Sequence, residues 1–255
     1  MTAHAVRPAR PRPVLPKLAL TEAKLLIREP IALLWGLAFP MALLAVMGLT
    51  SPGPQADLGG LPLVAVYEPV LIAFISVAFA IQGLPGQLAG QRERRILRRL
   101  ATTPVGPARV VAAQVVVNLA VALTATAGVL ALGRIAFGVA LPRQAAGFAV
   151  SYLLAAVSML GLGMLIAALA PTGRTAGAVG TLLFFPLMFF AGLWTPGATM
   201  PAAAQRIGSY TPLGAAVHAL QESMYGSWPH PAQLAVLAGY AVVFTAAAIR
   251  FFRWD

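Results

Sequence analysis

The chain has 255 residues, of which 59% are hydrophobic and 10% are charged, and its mean hydropathy is +0.82. This composition excludes a soluble globular domain, because too few polar side chains remain to cover such a domain in water. The formal net charge is +11, and the lack of cysteine in the chain excludes disulfides and thiolate metal sites.

The N-terminal part is basic and rich in proline. Residues 1–16 predict a disordered tail, because repeated proline blocks helix and sheet hydrogen bonding. Residues 17–30 predict a short amphipathic helix in the membrane interface, with Leu18, Leu25 and Leu26 on its apolar side. No short apolar run with a small-residue cleavage site follows, so we expect the first span to act as the insertion signal.

Six charge-free stretches are each long enough to cross a bilayer, which requires about 20 apolar residues. The predicted fold class is therefore an all-α integral membrane protein, with a single transmembrane domain over residues 17–255. Pro40 is expected to kink the first span. The six predicted spans cover approximately residues 31–50, 66–88, 108–132, 145–170, 175–195 and 231–250.

The basic residues are divided unequally between the two sides of this topology. Fifteen of the eighteen Lys and Arg residues lie on the side that carries both termini, and only Arg134, Arg143 and Arg206 lie on the other. Since Lys and Arg favour the cytoplasmic side, both termini are predicted to be cytoplasmic. Because this bias also explains the positive net charge, nucleic-acid binding is not needed to account for it.

Residues 91–104, QRERRILRRLATTP, concentrate five arginines after the second span. On a helix, Glu93 shares one face with the apolar residues Ile96, Leu97 and Leu100, and arginines occupy the rest. Nucleic acid is disfavoured because residues 85–109 contain no aromatic side chain for stacking. The arginines could instead set the membrane topology or bind lipid phosphates, and these alternatives stay open. Glu93, which anionic lipid would repel, favours a protein partner.

Small residues recur at helical spacing in the fourth and fifth spans. Gly161 and Gly163 permit close helix approach, and Gly173, Gly177 and Thr181 repeat at every fourth residue. The second set fits either packing within one subunit or a dimer interface.

Polar residues within the spans are few. Gln114 and Asn118 lie one helical turn apart in the third span, and Glu68 lies next to Pro69 at the outer start of the second. These three residues are candidates for a substrate path. Glu68 either sits in the outer headgroup region or faces the path, where a carboxylate near low-dielectric walls would favour cationic amphiphiles.

The connection between the fifth and sixth spans is broken by proline and glycine but contains a further helical pattern. Thr211 suits an N-cap and Pro212 a first helical position. The predicted helix lies on the outer membrane surface or dips into it and returns. Its apolar stripe comprises Leu213, Val217, Leu220 and Met224, and Trp194, Tyr210, Tyr225 and Trp228 surround it as an interfacial belt.

These features, in this order, resemble the permease subunits of ABC-2 type exporters. Residues 91–106, QRERRILRRLATTPVG, are similar to the family segment ErExGtlerLlvTPv, and residues 186–221 are similar to a second family stretch. Arg95 stands where the family usually has glycine, Gln91 replaces an acidic residue, and Ala191 replaces a common serine. Among relatives, the chain is most similar to daunorubicin-type antibiotic and multidrug exporters of bacteria.

The resemblance implies a cell-membrane permease that pairs with itself or with a paralogue and exports an amphipathic substrate, with a drug-like compound favoured over a lipid or a glycan. ATP and Mg²⁺ would be held by a separate ATP-binding cassette subunit, since the chain contains no GxxxxGK[ST] phosphate loop. No catalytic residue, bound cofactor or metal is expected in this chain. The ATPase would dock on Glu93, Arg94, Ile96, Leu97, Arg98, Leu100, Thr103 and Pro104.

Two other functions fit fewer of these sequence features. A secondary carrier or channel usually places charges within its spans, where only Glu68 comes close. An intramembrane enzyme needs paired acids, metal ligands or a nucleophile with its base, but His4, His218 and His230 are scattered and no HExxH or GxSxG sequence occurs.

Overall fold

The structure, a computed structural model, describes residues 20–21, 23–24, 33–51, 53–96, 107–196 and 199–252. Its main helices are α1 (Leu34–Thr50), α2 (Leu63–Glu93), α3 (Pro107–Phe137), α4 (Ala145–Leu169), α5 (Gly173–Ala191), α6 (Ala202–Tyr210), α7 (Pro212–Tyr225) and α8 (Pro231–Phe251). A small antiparallel hairpin of strands β1 (Pro54–Gln55) and β2 (Leu61–Pro62) separates α1 from α2, with Pro54 opposite Pro62.

Some predictions fall on parts of the chain that lie outside these residues. They concern the tail of residues 1–16, most of the interfacial helix of residues 17–30, and the part of the Arg-rich segment from Leu97 to Pro104. Of the interfacial helix, Leu20, Thr21, Ala23 and Lys24 are described, and all four are helical.

Five helices of the described chain are long and apolar enough to cross a membrane, namely α2, α3, α4, α5 and α8. They coincide with five of the six predicted spans, to within a few residues at each end. The described part of the first predicted span, α1, has 17 residues at most and begins with a π-helical segment, Leu34–Ala38, just before Pro40. The first predicted span, and with it the total of six spans, therefore stays a prediction.

The two ends of the helix bundle differ in chemistry. At one end, here named the Arg end, α2 finishes in its arginines beside the turn between α4 and α5. At the opposite end, here named the hairpin end, the β-hairpin lies with α6, α7 and the start of α4, where the Gln144 amide donates to the Ser223 carbonyl over 3.0 Å. The spanning helices run between these ends in alternating directions.

Helix α2 is the centre of the bundle. Every residue from Val64 to Ile81 is buried, because α1, α3, α4, α5 and α7 surround it. One side of α2 packs Phe74 and Ile81 against Met159 of α4 and Met188 of α5. A run of apolar residues without alternation is the pattern expected of a helix that is covered on all sides.

Glycines bring α4 and α5 directly against the backbone of α2. Gly163 of α4 lies against the Ala80 carbonyl, and Gly180 of α5 lies against the Ile81 carbonyl. Both carbonyls belong to a π-helical segment, Ala78–Gly83, in the middle of α2. Gly161 packs instead against α8, where an added Cβ would lie 3.0 Å from Thr245 Oγ1. The predicted close approach at Gly161 and Gly163 is therefore observed.

Helix α7 is inserted among the spanning helices. The Thr211 hydroxyl accepts a hydrogen bond from the Gly214 amide over 3.1 Å, and Pro212 is the first helical residue, as the sequence predicts. The predicted stripe is buried, but so are most of the small residues between its members, because α4, α5, α2 and α8 all pack against α7. Whether this helix lies on the outer membrane surface or dips into it stays a prediction.

Candidate functional site

At the Arg end, α2 stops at Glu93 through a change of backbone conformation. The Arg94 amide donates to the Gly90 carbonyl over 3.0 Å and the Arg95 amide to the Arg92 carbonyl over 2.9 Å. Arg95 then has a φ of 56°, the left-handed conformation that commonly ends a helix and favours glycine. The single helix predicted to carry Glu93 and Ile96 on one face is thus interrupted, and Glu93 belongs to α2.

The last residues of α2 contact the turn between α4 and α5. Glu93 Oε2 accepts a hydrogen bond from the Gly173 amide over 3.1 Å, at the first turn of α5. The Arg92 guanidinium donates to the Ala168 carbonyl over 3.0 Å and also to the Ala170 carbonyl, at the last turn of α4. Sequence reasoning missed Arg92, since its partners lie far away in the chain and leave no local signal.

The three residues predicted for a dimer interface lie in different surroundings. Gly173 packs within the chain, because an added Cβ would lie 2.8 Å from the Gly86 carbonyl oxygen and 3.1 Å from Gly90 Cα. A Cβ added at Gly177 would meet no atom of the described chain within 4 Å. Thr181 is exposed, and its hydroxyl donates to Gln82 Oε1 over 3.2 Å. Only Gly177 and Thr181 therefore face outward.

The Gln82–Thr181 pair lies on an apolar surface. Gln82 belongs to the π-helical segment in the middle of α2, and its side chain is exposed although its neighbours Ala80 and Ile81 are buried. Next to Thr181 along α5, Leu182 is 73% exposed and Phe185 is 55% exposed. A hydrogen-bonded polar pair thus interrupts a surface that is otherwise suited to lipid or to another protein.

Glu68 is buried at the hairpin end. It is 1% exposed, and its carboxylate packs against Gly133 of α3. Within the described chain, Glu68 Oε2 is buried without a hydrogen-bond partner. The side chain therefore does not reach the surface of the described chain.

The structure does not bring Glu68 together with the other two candidates for a substrate path. Gln114 and Asn118 are buried on α3. The side-chain amide of Asn118 donates to the backbone carbonyl of Gln114 over 2.8 Å. Asn118 precedes Gly133 by fifteen residues, which is about 22 Å along a helix. A path that includes all three residues would have to cross most of the bundle.

A cavity of about 320 Å³ opens at the hairpin end. Its walls come from the hairpin, the first turns of α2, the end of α5, α6 and α7, and they are mostly apolar. The polar side chains in its wall are Tyr67, Gln205, His218, Gln221 and Tyr225. No sequence pattern indicated this cavity, because its lining residues come from separate segments that only the fold brings together.

Two cavity residues on α7 have altered protonation equilibria. Burial lowers the pKa of His218, and the negative charge of Glu222 partly offsets this effect. The imidazole is therefore neutral near pH 7. Partial burial raises the pKa of Tyr225, and the charge of Glu68 raises it further.

The fold is that of an all-helical, multi-pass membrane protein, with five helices long enough to span a bilayer. Residues 18–225 match the family model described as ABC-2 type transporter, and the chain therefore belongs to this family. The match ends at Tyr225, the last residue of α7. No curated protein was found to match the chain. Membership indicates a permease subunit of an ABC exporter, which is a transport component rather than an enzyme.

Proposed function

We propose that the chain is the permease subunit of an ATP-driven exporter in the bacterial cell membrane, which moves amphipathic, drug- or antibiotic-like compounds outward. A separate ATPase subunit would supply the energy. The observation that carries the proposal is the helix break at Arg95, directly beyond the buried centre of the bundle. Because of this break, Arg94, Arg95 and Ile96 do not continue α2, and all three are exposed to a partner.

The ATPase docks on the Arg-rich segment in this proposal. Arg94 and Ile96 are exposed beyond the end of α2, so a charged and an apolar side chain are both accessible to a partner. Glu93 is also exposed, and the Gly173 amide contacts only its Oε2 atom. The remaining docking residues are Leu97, Arg98, Leu100, Thr103 and Pro104.

The Arg end is the cytoplasmic side in this proposal. The excess of Lys and Arg supports this orientation. So do Trp194, Tyr210 and Trp228, which are exposed near the hairpin end as interfacial aromatic residues would be. Single cysteines can test it, since the chain has none of its own. An impermeant thiol reagent on intact cells should label Ala198→Cys but not Thr102→Cys, and the reverse result would reject the orientation.

Two copies, or the chain and a paralogue, pair through the outward face of α5 at Gly177 and Thr181. The exposed Gln82–Thr181 pair supports this proposal, because polar groups exposed to lipid are unfavourable and interhelical hydrogen bonds often join membrane helices. Gly177 leaves space on the same side of α5 for close approach of a second helix. Gly173 is not part of this face, because Gly86 and Gly90 cover it.

Glu68 makes the exporter prefer cationic compounds in this proposal. The support is the position of Glu68 directly after the cavity residue Tyr67, because a cation bound between the aromatic walls would favour the ionised form of this buried carboxyl group more strongly than a cation in water. Glu68→Gln should reduce export of cationic amphiphiles about tenfold and leave neutral ones unchanged. Asp57→Asn, at an exposed acid of the same end, is the matched control. An equal response of both compound classes to Glu68→Gln would reject this role.

Co-purification tests the function as a whole. An ATPase subunit encoded beside the permease should co-purify with it, and amphipathic compounds should stimulate its ATP hydrolysis in nanodiscs. Transport that follows an ion gradient without such a subunit would instead establish a secondary carrier. Chemical conversion of the compound by the purified chain would establish an intramembrane enzyme.

A further inference from the structure

The contacts of Arg92 and Glu93 match the electrostatics of the two helix ends that they touch. The last carbonyls of a helix carry a partial negative charge and its first amides a partial positive charge. Arg92 donates to the carbonyls of Ala168 and Ala170 at the end of α4, and Glu93 accepts from the amide of Gly173 at the start of α5. Two consecutive residues of opposite charge therefore hold two consecutive helix ends.

Close glycine contacts between α2 and α5 place the Gly173 amide within hydrogen-bonding distance of Glu93. Gly173 touches both Gly86 and Gly90 on the last turns of α2, so the first turn of α5 lies against the α2 backbone. A side chain at Gly173 would separate the helices and move its amide away from Glu93, whereas a Cβ added at Gly86 or Gly90 would lie at ordinary contact distance. The hydrogen bonds thus form at the end of a close helix–helix contact and do not extend across solvent.

The α5 helix does not need Glu93 as its own cap. Thr172 is the N-cap residue, and its hydroxyl accepts a hydrogen bond from the Thr175 amide over 3.1 Å. The bond from the Gly173 amide to Glu93 therefore joins two elements and adds little to the formation of α5 itself. Similarly, Arg92 bonds to carbonyls on both sides of the end of α4, which ties the α4–α5 turn to α2.

We infer that Arg92 and Glu93 form a bracket that makes the end of α2 and the α4–α5 turn move as one unit. They are positioning residues that transmit displacement of the docking segment to α5. This inference rests on the proposed function, in which the segment beyond Arg95 docks on the ATPase. Since α5 also carries Gly177 and Thr181, the bracket connects the docking segment mechanically to the proposed dimer face.

Hydrogen exchange of the Gly173 amide tests the contact directly. This amide lies in the first turn of α5 and has no acceptor within its own helix, so its protection depends on Glu93. In protein labelled with ¹⁵N-glycine and held in nanodiscs, Glu93→Ala should speed its exchange about tenfold. Glu93→Gln, which keeps an acceptor oxygen, should have a smaller effect. Arg174→Gln removes an exposed charge beside the same turn and should leave the exchange rate unchanged.

The ratio of substrate exported to ATP hydrolysed tests the positioning role. Arg92→Ala should lower this ratio about tenfold while the ATPase subunit still co-purifies, because Arg92 contacts only the α4–α5 turn among its described partners. Arg92→Lys should restore part of it, since an ammonium group can still donate to a carbonyl. Arg174→Gln is again the matched control and should keep the wild-type ratio.

Two results would overturn the inference. One is an unchanged exchange rate of the Gly173 amide in Glu93→Ala. The other is a wild-type ratio of export to hydrolysis in both Arg92→Ala and Glu93→Ala. Failure of the proposed function is distinguishable from either, because the wild-type permease would then purify without an ATPase subunit.

Discussion

Gly163 of α4 lies directly against the Ala80 carbonyl of α2, so that a Cβ at this position would overlap the carbonyl oxygen. The carbonyl belongs to the main chain of a helix that is covered on all sides, and it cannot move aside as a flexible side chain could. The contact thus defines how closely α4 packs on the central helix.

Gly163→Ala should therefore destabilise the protein by about 1–3 kcal/mol, the usual cost of forcing extra volume into a packed core. Gly239→Ala on α8 is the control, since an added Cβ there meets nothing within 4 Å in the described chain, and it should change stability by less than about 1 kcal/mol. Thermal unfolding in detergent measures both. Equal melting temperatures for the two variants would show that α4 does not pack this closely.

The left-handed conformation of Arg95 leads to a second prediction. This conformation is strained for residues other than glycine. Arg95→Gly should stabilise the protein by about 0.5–1 kcal/mol and retain transport, whereas Arg95→Val should destabilise it. Chemical unfolding together with a transport assay checks the pair. A loss of transport in Arg95→Gly would mean that the arginine side chain itself is required.

The sequence predicts the spans well and their mutual contacts poorly. The extents of α2, α3 and α4 follow from charge-free length, and the cap at Thr211 follows from residue chemistry alone. The contact of Arg92 with Ala168 depends on which helix end lies beside α2, which no local pattern specifies.

The helix break after Glu93 was missed for a different reason. The apolar spacing of the Arg-rich segment is helical on both sides of Arg95, and arginine is an ordinary helix former, so periodicity predicts one continuous helix. The one signal for a break is the glycine at this position in the family pattern ErExGtlerLlvTPv, which the segment resembles. Here the backbone keeps the shape that glycine provides although the residue is arginine.

The stability of the protein should depend on His218 at mildly acidic pH. Burial lowers the pKa of His218 in the folded state, so between that pKa and about 6.5 the unfolded state binds more protons than the folded state. Stability is therefore lost as the pH falls below about 6.5. His218→Gln should reduce the difference in melting temperature between pH 8 and pH 5.5, and His4→Gln should not. An unchanged difference in His218→Gln would contradict this account.

The outward face of α5 should mediate pairing of two permeases. Gly177→Leu should leave the fold of one chain intact, because no described atom lies near an added Cβ, but should weaken the dimer at least tenfold. Gly239→Leu adds the same side chain to an open position on α8 and should leave the dimer unchanged. Single-molecule photobleaching in nanodiscs counts the copies. Equal dimer fractions in the two variants would exclude this face.

Docking of an ATPase on the Arg-rich segment should make substrate-stimulated ATP hydrolysis by the co-purified partner depend on the apolar residues of this segment. Truncating one well-seated leucine at an interface costs on the order of 1–2 kcal/mol, enough to weaken a transient contact about tenfold. Leu97→Ala should therefore insert normally in the membrane yet lose both the stimulation and transport. Neutralising Arg7, Arg10 and Arg12 together should change neither. Normal stimulation and transport in Leu97→Ala, with loss of both in the variant that lacks the three arginines, would contradict the docking role.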